Sequence, residues 1–292
     1  MLMIERDHSQ HYYPRIYQLM EWKRYEEAQK EVMNLLRELP EDPEAHAIAG
    51  QICLRLNKRD EALHWSQEAI RLDPDNALGW FVRTCALYEA EKWRALDESL
   101  ENAQRIDPYE PFYYFLRANI CNQKNHFNEA RDHLLKGLQI SPHNALYLAT
   151  LSYTEALLNH VNESRALARE ALRQEVESDQ VYLYLGWAAE RRSDYDDQLL
   201  MLKNAIQLDP DNKQIREEYL EALQKGYKVY RILLAPTNLL KRMKPWQIFL
   251  SWMVAALLFR PLIILFIVLY ILTHWSTKLL VHVKVFGWTR RR

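Results

Sequence analysis

The chain has 292 residues, 49% of them hydrophobic and 26% charged, with 6 glycines and 3 cysteines. That length holds one large domain or two small ones around a real core, and the composition excludes a collagen, a disulfide scaffold and long disorder. A formal net charge of −1 conceals a split: residues 1–221 hold 26 Lys/Arg against 39 Asp/Glu, and beyond Glu221 come twelve basic residues and no acidic one. An acidic body with a cationic end is expected to meet an anionic surface, and the apolar run among those basic residues favours lipid over nucleic acid.

Residues 1–8 are polar, carry Glu5, Arg6 and Asp7, and lack the apolar stretch of a signal peptide, so they read as a tail. From residue 9 the chain repeats itself. Pro40, Pro74, Pro108, Pro142 and Pro210 fall on a lattice of 34 residues, with Val176 at the remaining point. Leu72-Asp-Pro-Asp-Asn76 recurs as Leu208-Asp-Pro-Asp-Asn212, with Ile106-Asp-Pro-Tyr-Glu110 and Ile140-Ser-Pro-His-Asn144 between them. Proline cannot continue a helix and the Asp, Ser or Asn beside it caps the next, so each is a stop followed by a restart.

Between these stops small residues recur where two helices must approach closely. Ala28, Ala62 and Ala130 share one lattice position, and Gly50, Ala118 and Gly186 share another. Leu35, Ala69, Ala103, Gly137, Ala171 and Ala205 share a third. Tyr25, Trp93, Phe127, Val161 and Tyr195 open the second helix of each unit, with Arg59 as the exception. The pattern predicts two amphipathic helices of about fourteen residues per unit, neither able to bury its apolar face alone.

In these residues the chain resembles the tetratricopeptide repeat family. Units are expected at 9–42, 43–76, 77–110, 111–144, 145–178 and 179–212, together an all-α, right-handed superhelical solenoid. Residues 43–76 show the family pattern as Ala49-Gly50, Ala62, Ala69 and Pro74, and residues 179–212 as Tyr182, Leu185-Gly186, Ala205 and Pro210. Repeat five departs from it, with Ser152 and Ser164 at small positions and Val176 for proline, so its geometry is expected to deviate locally. Residues 213–234 continue as an amphipathic helix expected to close the stack.

A basic linker at 235–245 leads into 246–275, where Arg260 is the only Lys, Arg, Asp or Glu. Thirty helical residues would extend about 45 Å, enough to span a hydrocarbon core of about 30 Å. Trp246 and Trp275 suit the two interfaces. Arg260-Pro261 at the centre allows either one kinked span or a re-entrant hairpin, and basic residues on both flanks leave orientation open. Residues 276–292 form a basic tail suited to anionic lipid.

No catalytic chemistry is legible. The six scattered glycines make no phosphate loop, and no metalloprotease, hydrolase or kinase signature occurs. Cys53, Cys85 and Cys121 form no CxxC or Cys/His cluster and read as reduced thiols of a cytosolic-type compartment. A non-enzyme without metal or cofactor is therefore expected.

What the resemblance implies is recognition. In such repeats the first helices line a concave groove for a peptide or partner helix. Carried over position by position, that groove would present Gln51, Phe81, Tyr88, Phe112, Phe115, Asn119, Tyr153, Tyr184 and Trp187, each with packing between helices as its alternative role. Relatives that clamp acidic C-termini use Lys, Arg and Asn there. The matching positions here are Phe115, Asn119, Thr150, Gln180 and Tyr184, which argues against that subtype. The sequence thus reads as a membrane-anchored adaptor with its repeats in the cytosol, binding a protein or peptide through the concave face. The alternative is a structural or regulatory subunit of an integral membrane complex, held through the C-terminal segment.

Overall fold

A computed structural model describes residues 2–174, 176–225 and 268–279, with side chains from residue 11. Among the described residues every regular element is a helix. In chain order these are α1 (Leu2–Glu21), α2 (Tyr25–Glu38), α3 (Pro43–Arg55), α4 (Arg59–Leu72), α5 (Ala77–Glu89), α6 (Trp93–Ile106), α7 (Pro111–Gln123), α8 (Phe127–Ile140), α9 (Ala145–Leu157), α10 (Val161–Arg173), α11 (Asp179–Arg191), α12 (Tyr195–Leu208) and α13 (Lys213–Lys225). Residues 268–279 are also helical.

The 34-residue lattice sets every one of the inner boundaries. First helices begin at Pro43, Ala77, Pro111, Ala145, Asp179 and Lys213, and second helices at Tyr25, Arg59, Trp93, Phe127, Val161 and Tyr195. The restart chemistry is visible at the caps. Asp42 accepts from the Glu44 and Ala45 amides at 3.0 and 3.4 Å, Asn76 from Gly79 at 2.6 Å, and Asn144 from Leu146 and Tyr147 at 3.0 and 3.2 Å. Each such cap contributes about 1 kcal/mol. The turn inside each hairpin uses one left-handed residue, again 34 apart: Lys23, Asn57, Glu91, Asn125, Asn159 and Ser193 have φ of 54–64°. Asparagine tolerates that conformation better than the Lys and Glu that stand in two of the turns.

Repeat five deviates as its sequence suggests. Helix α10 is a residue shorter than the other second helices, and Ser178 makes no side-chain cap bond to α11. The N-terminus differs from the sequence reading. Residues 2–8, expected as a tail, begin α1, and nothing among them breaks a helix. Of the expected capping helix 213–234, residues 213–225 form α13; the remainder and the linker 235–245 lie outside the described residues.

The chain divides into two compact units, Met1–Pro142 and His143–Arg292. In the first, α3 packs on α4 and α5 packs on both. Gly50 allows this: a Cβ there would stand 2.9 Å from Val82 Cγ1 and 3.3 Å from the Ala62 carbonyl oxygen. Ile16, Leu35, Ile48 and Ile52 are fully buried in its core, with Tyr13 and Trp65 packed alongside. In the second unit α9 pairs with α10 and α11 with α12. Ile215 and Ala222 of α13 join Leu183, Leu202 and Ala205 in one apolar cluster, so α13 covers what α11 and α12 would otherwise expose. Burying a leucine of this kind stabilises by about 1.5–3 kcal/mol.

Among the described residues no helix is long and apolar enough to cross a membrane. Trp246, Arg260 and Pro261, with most of the expected 246–275 segment, lie outside the described residues. Trp275 is described and is 70% exposed.

Candidate partner-binding surfaces

The aromatic residues singled out above lie on first helices and meet rings or apolar side chains of neighbouring helices. In the first unit Phe81 of α5 meets Phe112 of α7 with ring centroids 5.9 Å apart, and Phe112 stacks on Phe115 at 5.6 Å and 27°. Phe81 and Phe112 are half-buried, whereas Phe115 is only 3% exposed. Asn119 is 6% exposed and donates through Nδ2 to the Tyr88 hydroxyl at 3.2 Å. Phe115 and Asn119 therefore hold the floor of this surface, while Phe81, Tyr88, Phe112 and the half-buried Gln51 of α3 keep accessible area.

In the second unit three rings meet pairwise. Tyr184 and Trp187 of α11 lie edge to face at 5.2 Å, and Tyr153 of α9 stands 5.7 Å from Trp187 and 6.3 Å from Tyr184. All three are half-buried, and Trp187 also packs on the Leu183–Leu202 cluster. Burial raises the Tyr153 phenol above its usual range, partly offset by Arg191 beside it. Flat, stiff, amphipathic rings of this kind anchor partners at low cost in side-chain entropy.

Three further features lie outside the expected groove positions. Two more aromatics pack beneath or beside these rings: Trp93 of α6 lies edge-on to Tyr88 at 6.0 Å, and the buried Tyr113 lies 6.2 Å from Phe81. On α1, Tyr12, Tyr13 and Tyr17 each donate a hydroxyl to a carboxylate, Glu38, Asp42 and Glu44, at 2.6, 2.5 and 3.4 Å. Repeat five carries a buried polar seam. The Ser152 and Ser164 hydroxyls each donate to the other's carbonyl oxygen, at 2.8 and 2.7 Å. Arg192 reaches Ser164 Oγ at 2.7 Å and Asp194 at 3.3 Å, and Arg165 grips the same carboxylate at 3.0 Å. The long reach of Arg192 makes that seam invisible to spacing arguments.

The thiols lie in surroundings that suppress reactivity. Burial, then the Glu89 carboxylate, pushes the Cys85 thiol up to about 12, and burial with Glu61 does the same for Cys53. Cys121, His126, Glu129 and His133 share a cleft of about 220 Å³ between α7 and α8. Among the described residues, however, no three metal-ligating groups are placed to hold an ion.

Family comparisons agree with the periodicity. A tetratricopeptide repeat model matches residues 21–77 and 158–213, and a second tetratricopeptide repeat model matches 113–144. Residues 21–77, 113–144 and 158–213 carry tetratricopeptide repeats. No curated protein matches the sequence. Among solved structures, the repeats are similar to the Cut9–Hcn1 heterotetramer of the APC/C, with a TM-score of 0.60 and 14% identity over 70% of this chain. They span 40% of that chain. They also resemble pilF of Pseudomonas aeruginosa, with a TM-score of 0.59 and 15% identity over 74% of this chain and 97% of that one. PilW, a type IV pilus biogenesis factor, gives 0.53 and 15% over 75% and 94%. At these identities the likeness establishes the fold alone, an all-α repeat scaffold.

Proposed function

We propose that this protein is a non-enzymatic adaptor that binds a protein or peptide partner through the first-helix face of its repeats and is held at a membrane by its C-terminal segment. The observation that carries the binding reading is the pair of aromatic surfaces. Successive first helices place Phe81 beside Phe112 in one unit, and Tyr153 beside Tyr184 and Trp187 in the other, with accessible area left on each. Rings in such groups anchor apolar side chains, and neighbours such as Gln51 supply hydrogen bonds to a bound backbone. The membrane part is supported by the apolar content of 246–275 and by the wholly basic charge beyond Glu221.

The test is crosslinked capture from native membranes with the full chain and with Phe112→Ala/Tyr184→Ala. Both side chains are half-buried, so their truncation spares the floor that Phe115 and Asn119 hold. The reading expects one dominant partner to disappear from the variant while its helical signal is kept. Capture of the same partner at the same yield would move the interaction off this face.

A further inference from the structure

The helix at 268–279 is built inside out. Val268, Leu272, Trp275 and Leu279 recur at the spacing of one helical stripe, and they are 46, 58, 70 and 61% exposed. Leu269 and Ile271 flank that stripe at 45 and 48%. Tyr270, Thr273, His274 and Thr277 occupy the opposite stripe; the first three are half-buried and Thr277 is 5% exposed. A helix on a water-soluble body shows the reverse order, apolar stripe inward and polar stripe outward.

The inward stripe is suited to burial despite its polar atoms. The Thr277 hydroxyl donates to the carbonyl oxygens of Thr273 and His274 at 2.8 and 3.1 Å, and the Tyr270 and His274 rings stack with centroids 6.2 Å apart. The outward stripe has no such provision for water, and a continuous apolar patch of this kind marks an interaction surface.

We infer that the Val268–Leu272–Trp275–Leu279 stripe lies in the lipid of an anionic bilayer, with the Tyr270–Thr273–Thr277 stripe turned to the protein. The inference rests on the membrane part of the proposed function and specifies which face makes the contact. Charge selects the occupant. Lys278 is exposed on this helix, Lys284 and Arg290–Arg292 follow it, and no acidic residue beyond Glu221 would repel a phosphate headgroup. Trp275 precedes Lys278 by three residues in the sequence, and aromatic residues favour the headgroup boundary.

The test uses the full chain with Cys53, Cys85 and Cys121 changed to Ala. Nitroxides are placed singly through Leu272→Cys, Leu279→Cys, Thr273→Cys and Thr277→Cys. The protein is reconstituted into vesicles of phosphatidylcholine and phosphatidylglycerol, and each label's collisions with oxygen and with a water-soluble nickel chelate are measured. The expected result is high oxygen and low nickel accessibility at 272 and 279, and low accessibility to both at 273 and 277. Omitting phosphatidylglycerol is expected to lower vesicle association at least about tenfold. Equal lipid exposure at 272 and 277 would overturn the one-sided arrangement and leave membrane attachment standing. Spin–spin broadening at 272 with shielding from oxygen would assign the stripe to a second copy of the chain and overturn the lipid contact. Failure of the chain to associate with either vesicle would overturn this inference and the membrane half of the proposed function together.

Discussion

Repeats two and five close the same hairpin position by opposite means. In repeat two Gly50 brings α3 onto α4 and α5 so closely that a single added carbon would meet Val82 at 2.9 Å. In repeat five the equivalent residue is Ser152, which exchanges hydrogen bonds with Ser164 while Arg192, its side chain 4% exposed, and Asp194 complete the seam. The backbone period is indifferent to the solution chosen, because it is set by cap and turn chemistry at the ends of helices. The cost of disturbing each is not. Close packing fails by overlap, whereas a buried polar seam fails by leaving charges and dipoles unpaired.

That contrast can be broken experimentally, and the largest effect is expected at the seam. Arg192→Ala removes an almost fully buried guanidinium that bonds the buried Ser164 and the half-buried Asp194, and should lower unfolding free energy by about 3 kcal/mol, read from denaturant midpoints. Gly50→Val should cost about 2 kcal/mol through overlap with Val82 and the Ala62 carbonyl, measured the same way. Ser152→Ala/Ser164→Ala converts the pair to the Ala118/Ala130 arrangement of repeat four. It should cost about 1 kcal/mol, less than the sum of the two single changes. Repeat six offers a gain instead. Gln198 is 1% exposed and neither polar atom of its side chain has a partner, at a position where three other repeats carry Ala. Gln198→Ala should therefore stabilise by about 1 kcal/mol, seen as a raised midpoint. The smallest effect is expected in the turns. Glu91→Asn places the residue found at 57, 125 and 159 into the same left-handed conformation and should add a few tenths of a kcal/mol.

The fold was legible because its punctuation is chemical. Pro40, Pro74, Pro108 and Pro142 stop helices, Asp42, Asn76 and Asn144 restart them, and these marks alone place the helix boundaries they flank. Depth was less legible than direction. Period puts Phe115 and Asn119 on the same stripe as Phe112, but how far each sinks depends on neighbours from other helices, and both are buried. The seam around Arg192 escaped for a related reason: its partners come from three segments and no spacing links them. The tyrosine hydroxyls of α1 likewise find carboxylates 26–29 residues away, beyond the reach of any local pattern.

Stability and recognition should accordingly separate, since the seam lies inside the stack and the rings keep their accessible area on the first-helix face. The most direct measurement is membrane capture of the dominant partner by two full-length variants side by side, each with its denaturant midpoint determined. Phe112→Ala/Tyr184→Ala is predicted to lose the partner and shift the midpoint little, while Ser152→Ala/Ser164→Ala shifts the midpoint and keeps the partner. Loss of the partner from the serine variant alone, with full capture by the aromatic one, would contradict the assignment of binding to the aromatic face.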